Sequence, residues 1–135
     1  MAPQETQNHF GSGRILIMED EETIRDILGT MLNIMGYTVE YAPDGNEVIE
    51  RVKKSLQSGD RIKAVIMDLT IPEGVGGQEA ISGIRDIDKY IQVFVTSGYS
   101  DHPIMIDPQA FGFNDKIPKP FTYADLVVVF NRNLK

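Results

Sequence analysis

Two patterns of hydrophobic residues alternate along this chain of 135 residues. Short continuous apolar runs, such as RILIM at 14–18 and AVIMD at 64–68, are typical of strands that are buried on both faces. Between them, apolar residues recur at helical spacing, as Ile24, Leu28 and Met31 do after the first run. Five predicted strands, which include an alternating run at 37–41 and a weaker run at 112–117, alternate with five predicted helices. An Asp–x–x–Glu pair at 44–47 and a Thr–x–x–Asp pair at 122–125 predict caps for the second and the last helix. The alternation predicts βαβ units, and therefore a parallel sheet covered by helices on both faces.

Right-handed crossover connections leave few ways to arrange five parallel strands. Among these we favour the α/β class with a single flavodoxin-like, doubly wound sheet, strand order 2-1-3-4-5 and five helices. This domain is expected over residues 14–135. Residues 1–13 are polar, contain glycine and show no period, so we predict a flexible N-terminal arm or linker there. In sheets of this kind, ligands bind beyond the carboxyl ends of the strands.

Polar side chains stand at the ends of four predicted strands. Strand one ends in Glu19 and Asp20, strand three ends in Asp68, and strands four and five lead to Thr96 and Lys119. Because strands one and three are neighbours in the favoured order, the three carboxylates should converge. Such a cluster costs stability unless a cation neutralises it. Oxygen ligands without cysteine favour a hard ion, Mg²⁺ or Mn²⁺.

Lys119 and the Thr96 hydroxyl are expected opposite the carboxylates, where they are suited to binding a phosphoryl group. The Lys119 ammonium can neutralise phosphoryl oxygens, and the Thr96 hydroxyl can donate a hydrogen bond to one of them. A carboxylate such as Asp68 can act as the nucleophile and form an aspartyl-phosphate. Each residue alone would more often be a strand-end cap, a turn residue or an exposed side chain. Their joint placement at the strand ends is what favours a phosphoryl site.

The ordered set of motifs resembles the receiver domain of two-component response regulators, over residues 14–135. It consists of the acidic pair at 19–20, DLTIPEGVGG at 68–77, the threonine at 96 and KPF at 119–121. The stretches TSGYSDHPIM and IPKPFTYADL are similar to the C-terminal receiver of hybrid sensor histidine kinases. The arm before residue 14 would then be an interdomain linker.

The resemblance implies a role for each site residue. Asp68 would be the phosphoacceptor, Thr96 the switch hydroxyl and Lys119 the phosphate-binding lysine. The peptide bond from Lys119 to Pro120 would be cis, an uncommon geometry that is easily checked. Mg²⁺ would be held by three carboxylates and one backbone carbonyl, those of Glu19, Asp20, Asp68 and Thr70.

The resemblance also implies a function and its partners. The domain would take a phosphoryl group from the phosphohistidine of a histidine kinase or a histidine phosphotransfer protein, and then change its affinity for partners. It would be a signalling phosphoacceptor rather than an enzyme, assisting only its own phosphorylation and dephosphorylation. A weak homodimer and a cytoplasmic location are further expectations, the latter including the cytosolic domain of a membrane-bound sensor kinase.

Composition excludes other classes of function. The net charge of −7 argues against a nucleic-acid surface, which needs clustered lysine and arginine. No apolar run is long enough to cross a bilayer and no signal peptide is visible, so we expect no membrane contact by this domain. With no cysteine, there is neither a disulfide framework nor a thiolate metal site.

Several residues depart from the common receiver pattern. Lys116 stands where many receivers carry an aromatic switch residue. Thr70 and Gly98, two residues beyond Asp68 and Thr96, lie where receivers tune hydrolysis. Neither supplies a carboxylate or an amide that would position an attacking water, so we predict no rapid self-dephosphorylation.

Two other classes of function fit the same fold. A receiver-like interaction module that is never phosphorylated is mildly favoured by Lys116. A separate enzyme is the other class. A flavin-binding protein is disfavoured by the acidic loop after strand one, and a haloacid-dehalogenase-like phosphatase would need a second aspartate in place of Thr70. The histidines His9 and His102 are expected at the surface, and neither has the surroundings of a phosphotransfer histidine.

Overall fold

Five strands and five α-helices alternate along the computed structural model, which describes residues 8–72 and 74–134. The strands are β1 (Arg14–Met18), β2 (Thr38–Ala42), β3 (Ile62–Asp68), β4 (Gln92–Ser97) and β5 (Asp115–Pro118). The helices are α1 (Glu22–Ile34), α2 (Gly45–Ser58), α3 (Gly77–Ile87), α4 (Pro103–Ile106) and α5 (Tyr123–Asn133). A short 3-10 helix (Pro108–Phe111) follows α4. Within the described ranges, no helix has the length and apolar character that a membrane span requires.

The five strands form one parallel sheet in the order β2-β1-β3-β4-β5. The predicted fold class and strand order are therefore confirmed. In this order β3 lies between β1 and β4, with Met18 opposite Met67 and Asp68 opposite Thr96. The carboxyl ends of these three central strands consequently meet at one edge of the sheet.

Helices cover both faces of the sheet because every second strand residue points to the same face. In β1, Leu16 and Met18 pack with apolar residues of α2 and α3, whereas Ile15 and Ile17 pack with α1 and α5. All four side chains are fully buried. Removing each such side chain from water contributes about 1.5–3 kcal/mol. This burial on two faces explains why the runs are continuously apolar.

The helix ends follow the chemistry of the sequence. The Asp44 carboxylate accepts a hydrogen bond from the Glu47 amide at 3.0 Å and caps α2, while the Glu47 carboxylate pairs with Arg51 instead of bonding back to the cap. At α5, Thr122 and Asp125 exchange both hydrogen bonds of a capping box. Capping by these residues was predicted at both helices.

The fifth strand is shorter than the predicted run at 112–117. Gly112 has a φ of 99° and ends the 3-10 helix, which removes it from the strand. The Phe113 amide then bonds to the Pro108 carbonyl, and Asn114 bonds through its amide to Val93. Strand geometry begins only at Asp115, after these turn bonds.

Residues 8–13 lie against the end of the sheet opposite to the carboxyl ends of the strands. His9 is 6% exposed, its ring stacks on Tyr37, and Phe130 meets it edge-on. The Gly11 amide donates to the Met35 carbonyl at 2.8 Å. The expectation that His9 is a surface residue was wrong, because these aromatic partners come from distant parts of the chain. The predicted arm at 1–13 stays a prediction, and residues 1–7 lie outside the described residues.

Candidate functional site

Three carboxylates converge where β1 and β3 end. One oxygen from each of Glu19, Asp20 and Asp68 lies within 4.8 Å of the other two. Glu19 and Asp68 are 2% and 7% exposed, whereas Asp20 faces solvent. The neighbouring positions of β1 and β3 produce this convergence, as the strand order predicted.

Lys119, just after β5, lies against the buried pair of carboxylates. Its ammonium nitrogen is 2.9 Å from Glu19 Oε1, and the two groups form an ion pair without hydrogen-bond geometry. The same nitrogen is 3.4 Å from Asp68 Oδ2. The second Glu19 oxygen accepts a hydrogen bond from the Glu21 amide at 3.1 Å. Both Glu19 oxygens are therefore engaged inside the protein, and one lysine faces two acids. The peptide bond between Lys119 and Pro120 is cis, as the resemblance implied.

Burial, together with the negative charge of Glu19, raises the pKa of Asp68 to about 7, although the Lys119 ammonium opposes both effects. Burial lowers the pKa of Lys119, but its contacts with Glu19 and Asp68 outweigh burial, so that pKa lies above its ordinary value. The site therefore holds more negative charge than its single lysine balances, and it favours binding of a further cation, either a proton or a metal ion.

Thr96 lies beside Asp68 on the neighbouring strand β4. The residue is 1% exposed, and its hydroxyl has no hydrogen-bond partner among the described residues. An unpaired buried hydroxyl costs about 1–3 kcal/mol. The backbone of Thr96 is held in place, because its carbonyl accepts from the Leu69 amide at 2.9 Å. A hydroxyl kept unpaired next to a carboxylate is suited to a ligand that accepts a hydrogen bond.

An open cavity of ≈ 590 Å³ lies above these groups, and we call it the acidic cavity. Its lining includes Asp20, Asp68, Thr70, Gly98 and Lys119. The structure thus brings the predicted residues of strands one, three and five to one cavity, with Glu19 and Thr96 buried beside them. Thr70 follows β3 directly and is exposed at the rim.

Two glycines let helix α3 begin close to the end of β3. A Cβ atom at Gly76 would lie 2.9 Å from the Leu69 carbonyl oxygen, and one at Gly77 would lie 2.8 Å from that of Asp68. Both positions fall in the motif at 68–77, although the sequence alone gave no reason for them. Their small size keeps the backbone around Asp68 tightly packed on its inner side.

A second cavity beside the site was not predicted. It has a volume of ≈ 390 Å³, and we call it the apolar groove. Its lining consists of Ile24, Ile27, Gly98, Lys119, Pro120 and Phe121. The groove shares Gly98 and Lys119 with the acidic cavity, so the two are adjacent. Periodicity does not separate a buried helix face from a half-exposed one, so the sequence does not show that these isoleucines line a groove.

Comparisons with known proteins agree with this geometry. The family model described as the response regulator receiver domain matches residues 15–131. The response regulator MprA of Mycobacterium ulcerans is 29% identical over 116 residues, which cover 86% of this chain and 47% of that protein. The CAI-1 autoinducer sensor kinase/phosphatase CqsS of Vibrio cholerae is 34% identical over 122 residues, covering 88% of this chain and 16% of that protein. The chain therefore spans less than half of either relative.

Solved structures share the fold. The receiver domain of the sensor histidine kinase PA1611 from Pseudomonas aeruginosa, determined with a magnesium ion in its active-site cleft, matches with a TM-score of 0.77 and 23% identity, over 91% of this chain and 98% of that one. The chemotaxis protein CheY4 of Vibrio cholerae matches with a TM-score of 0.78 and 24% identity, over 92% and 100% of the two chains. Since the family model covers most of the sequence, this chain belongs to the response regulator receiver domain family.

Proposed function

We propose that this domain is the phosphoacceptor of a two-component phosphorelay, with Asp68 receiving the phosphoryl group. The observation that carries the proposal is the composition of the acidic cavity. A buried carboxylate at the end of β3 and an ammonium just after β5 line this cavity, and an unpaired hydroxyl of β4 is buried beside it. These are the nucleophile and the charge-stabilising donors that phosphoryl transfer needs.

The donor set fits Mg²⁺. Three carboxylates supply oxygen ligands within 4.8 Å of one another, and burial together with the Glu19 charge raises the pKa of Asp68. A hard divalent ion prefers such ligands and removes the repulsion between them. Asp20 and Asp68 would hold the ion with the backbone carbonyl of Thr70. Glu19 would lie behind these ligands as seen from the ion, because its two oxygens already contact Lys119 and the Glu21 amide. The bound ion would neutralise phosphoryl oxygens during transfer.

The chemical step uses the residues of the acidic cavity. An Asp68 carboxylate oxygen attacks phosphorus, the phosphorus–nitrogen bond of the phosphohistidine breaks, and its electron pair stays on the imidazole. Lys119 and Thr96 contact the oxygens of the transferred group, through an ammonium charge and a hydroxyl donor. Phosphorylation adds about 1.5–2 negative charges to an already acidic site, so the Thr96 loop and Lys119 should move toward the new group.

The apolar groove gives the phosphodonor a place to dock. A phosphohistidine carried on a helix could lay apolar side chains against Ile24, Ile27 and Phe121 while its ring enters the acidic cavity at Lys119. Such a partner is a histidine kinase or a histidine phosphotransfer domain. The similarity to a sensor kinase/phosphatase and to the receiver of a sensor histidine kinase supports a hybrid-kinase context in the cytoplasm.

Transfer from a phosphohistidine protein tests the proposal. A purified histidine phosphotransfer domain that carries labelled phosphate should pass its label to this chain in the presence of Mg²⁺. The Asp68→Asn variant should receive none, and Ile27→Asp should slow transfer without changing phosphorylation by a small acyl phosphate. Folded protein that accepts phosphate from neither donor would favour the alternative, an unphosphorylated interaction module.

A further inference from the structure

The fifth strand carries a lysine that reaches across to helix α4. Lys116 lies in β5 opposite Val95 of β4, and its ammonium donates a hydrogen bond to the backbone carbonyl of Met105 at 2.7 Å. Met105 belongs to α4, a helix of four residues whose last carbonyl groups have no partners within the helix. In the described part of the chain, no carboxylate pairs with Lys116. The Lys116 ammonium therefore contacts α4 rather than a carboxylate.

The other end of α4 is linked to the acidic cavity through a hydrogen-bonded loop. Thr96 and Ser97 end β4, and the Ser97 hydroxyl accepts from the Tyr99 amide at 3.0 Å. The Tyr99 carbonyl accepts from the His102 amide at 3.1 Å, and the His102 ring caps α4 by accepting from the Ile104 amide at 3.1 Å. This series of hydrogen bonds connects the residues after Thr96 to the start of α4.

Strand β5 provides a second connection between α4 and the acidic cavity. Lys116 precedes Lys119 by three residues, and Lys119 contacts Asp68 and Glu19 in the site. Helix α4 is thus connected to the acidic cavity by two routes, the loop after β4 and the strand β5. The backbone pairing of β4 with β5 fixes the register of the two strands. If the loop moves relative to β5, the hydrogen bond between Lys116 and Met105 therefore has to change.

We propose that Lys116 is a tether that holds α4 in its resting position and opposes the movement of the Thr96 loop. The inference rests on the proposed function and adds a regulatory element to it. Phosphorylation of Asp68 draws the loop toward the phosphoryl group, and the hydrogen bond from Lys116 to Met105 has to be released for α4 to follow. Lys116 is therefore a positioning residue that sets the phosphorylation level at which the domain switches.

Three variants separate the tether from general effects of charge. Lys116→Met keeps the aliphatic stem and removes the donor, whereas Lys116→Arg keeps a cationic donor. Lys89→Met removes one exposed lysine charge remote from α4 and serves as the matched control. Each is compared with the wild type by amide hydrogen exchange over 104–107 without ligand. Each is also compared by its affinity for beryllofluoride, a phosphoryl mimic, with Mg²⁺.

The tether predicts faster exchange of the α4 amides in Lys116→Met. It also predicts about tenfold tighter binding of beryllofluoride, the ratio expected from losing one charged hydrogen bond that opposes switching. Lys116→Arg and Lys89→Met should stay close to the wild type. Unchanged α4 exchange in Lys116→Met would overturn the tether, whether or not the domain binds the mimic.

The two hypotheses fail in different ways. Faster exchange of α4 with unchanged affinity for beryllofluoride would overturn the coupling to Asp68 and leave Lys116 as a structural contact only. Wild-type protein that binds no beryllofluoride would contradict the proposed function. In that case the regulatory role of Lys116 fails with it, while the exchange data still decide whether the contact holds α4.

Discussion

Asp68 is the residue on which the proposed phosphoryl transfer depends. Its carboxylate lies beside Glu19 and Lys119 at the end of a buried strand. Without a metal ion, burial and the Glu19 charge raise its pKa to about 7. At neutral pH the residue is therefore about half protonated, and a cation that binds there must compete with the proton. In the proposed function, the nucleophile and one of the metal ligands are thus the same group.

This raised pKa makes the stability of the metal-free protein depend on pH. Because the folded protein holds the Asp68 proton more tightly than the unfolded chain, the free energy of unfolding should fall as pH rises from about 4 to 8. The loss attributable to Asp68 over this pH range is on the order of 4 kcal/mol. Asp68→Asn should remove that part of the dependence. Urea unfolding of both proteins in chelator at pH 5 and pH 8 measures it, and parallel pH profiles would contradict the account.

The lifetime of the phosphoryl group should reflect the residues at the rim of the acidic cavity. Thr70 and Gly98 line this cavity, and neither offers a carboxylate or an amide to orient an attacking water. We therefore expect a phosphoryl half-life of minutes or longer in Mg²⁺. Acid-quenched samples analysed by intact mass over time would give the half-life. Decay within seconds would contradict the prediction.

At the scale of elements, the N-terminal segment is an integral part of the packing. The His9 ring bonds to Tyr37 and Asn131 and contacts Phe130, while the Asn131 amide donates to the Asn8 carbonyl at 2.9 Å. These contacts join residues 8 and 9 to Tyr37, which directly precedes β2, and to α5.

Replacing His9 should therefore destabilise the domain. His9→Ala removes a buried ring and two hydrogen bonds, with an expected cost of about 2–4 kcal/mol. Phe10→Ala is the matched control, because Phe10 is 79% exposed, and it should cost little. Thermal unfolding of the two variants measures the difference. Equal melting temperatures would mean that the His9 contacts contribute nothing to stability.

The sequence predicted those elements whose own residues determine them. Strand β1 and helix α5 have the predicted positions, because a continuous apolar run and a reciprocal capping box are local signals. The burial of His9 was missed, since Tyr37 and Phe130 are far from it along the chain. The start of β5 was missed for a similar reason, because its bounds depend on turn bonds to Pro108 and Val93.

At the scale of the whole molecule, strand order determines what the site contains. Placing β3 between β1 and β4 brings Asp68 next to Glu19 on one side and Thr96 on the other. These placements could be predicted because they follow from strand order alone. The ion pair between Lys119 and Glu19 and the contact between Lys116 and Met105 could not be predicted, since they depend on side-chain conformations.

The acceptor role of Asp68 is the central claim, and the intact mass of the protein tests it most directly. After incubation with Mg²⁺ and a small acyl phosphate, the wild type should gain the mass of one phosphoryl group. Asp68→Asn should gain none, and neither should wild-type protein in chelator. An adduct that persists in Asp68→Asn, or folded wild-type protein that gains no mass, would contradict the account.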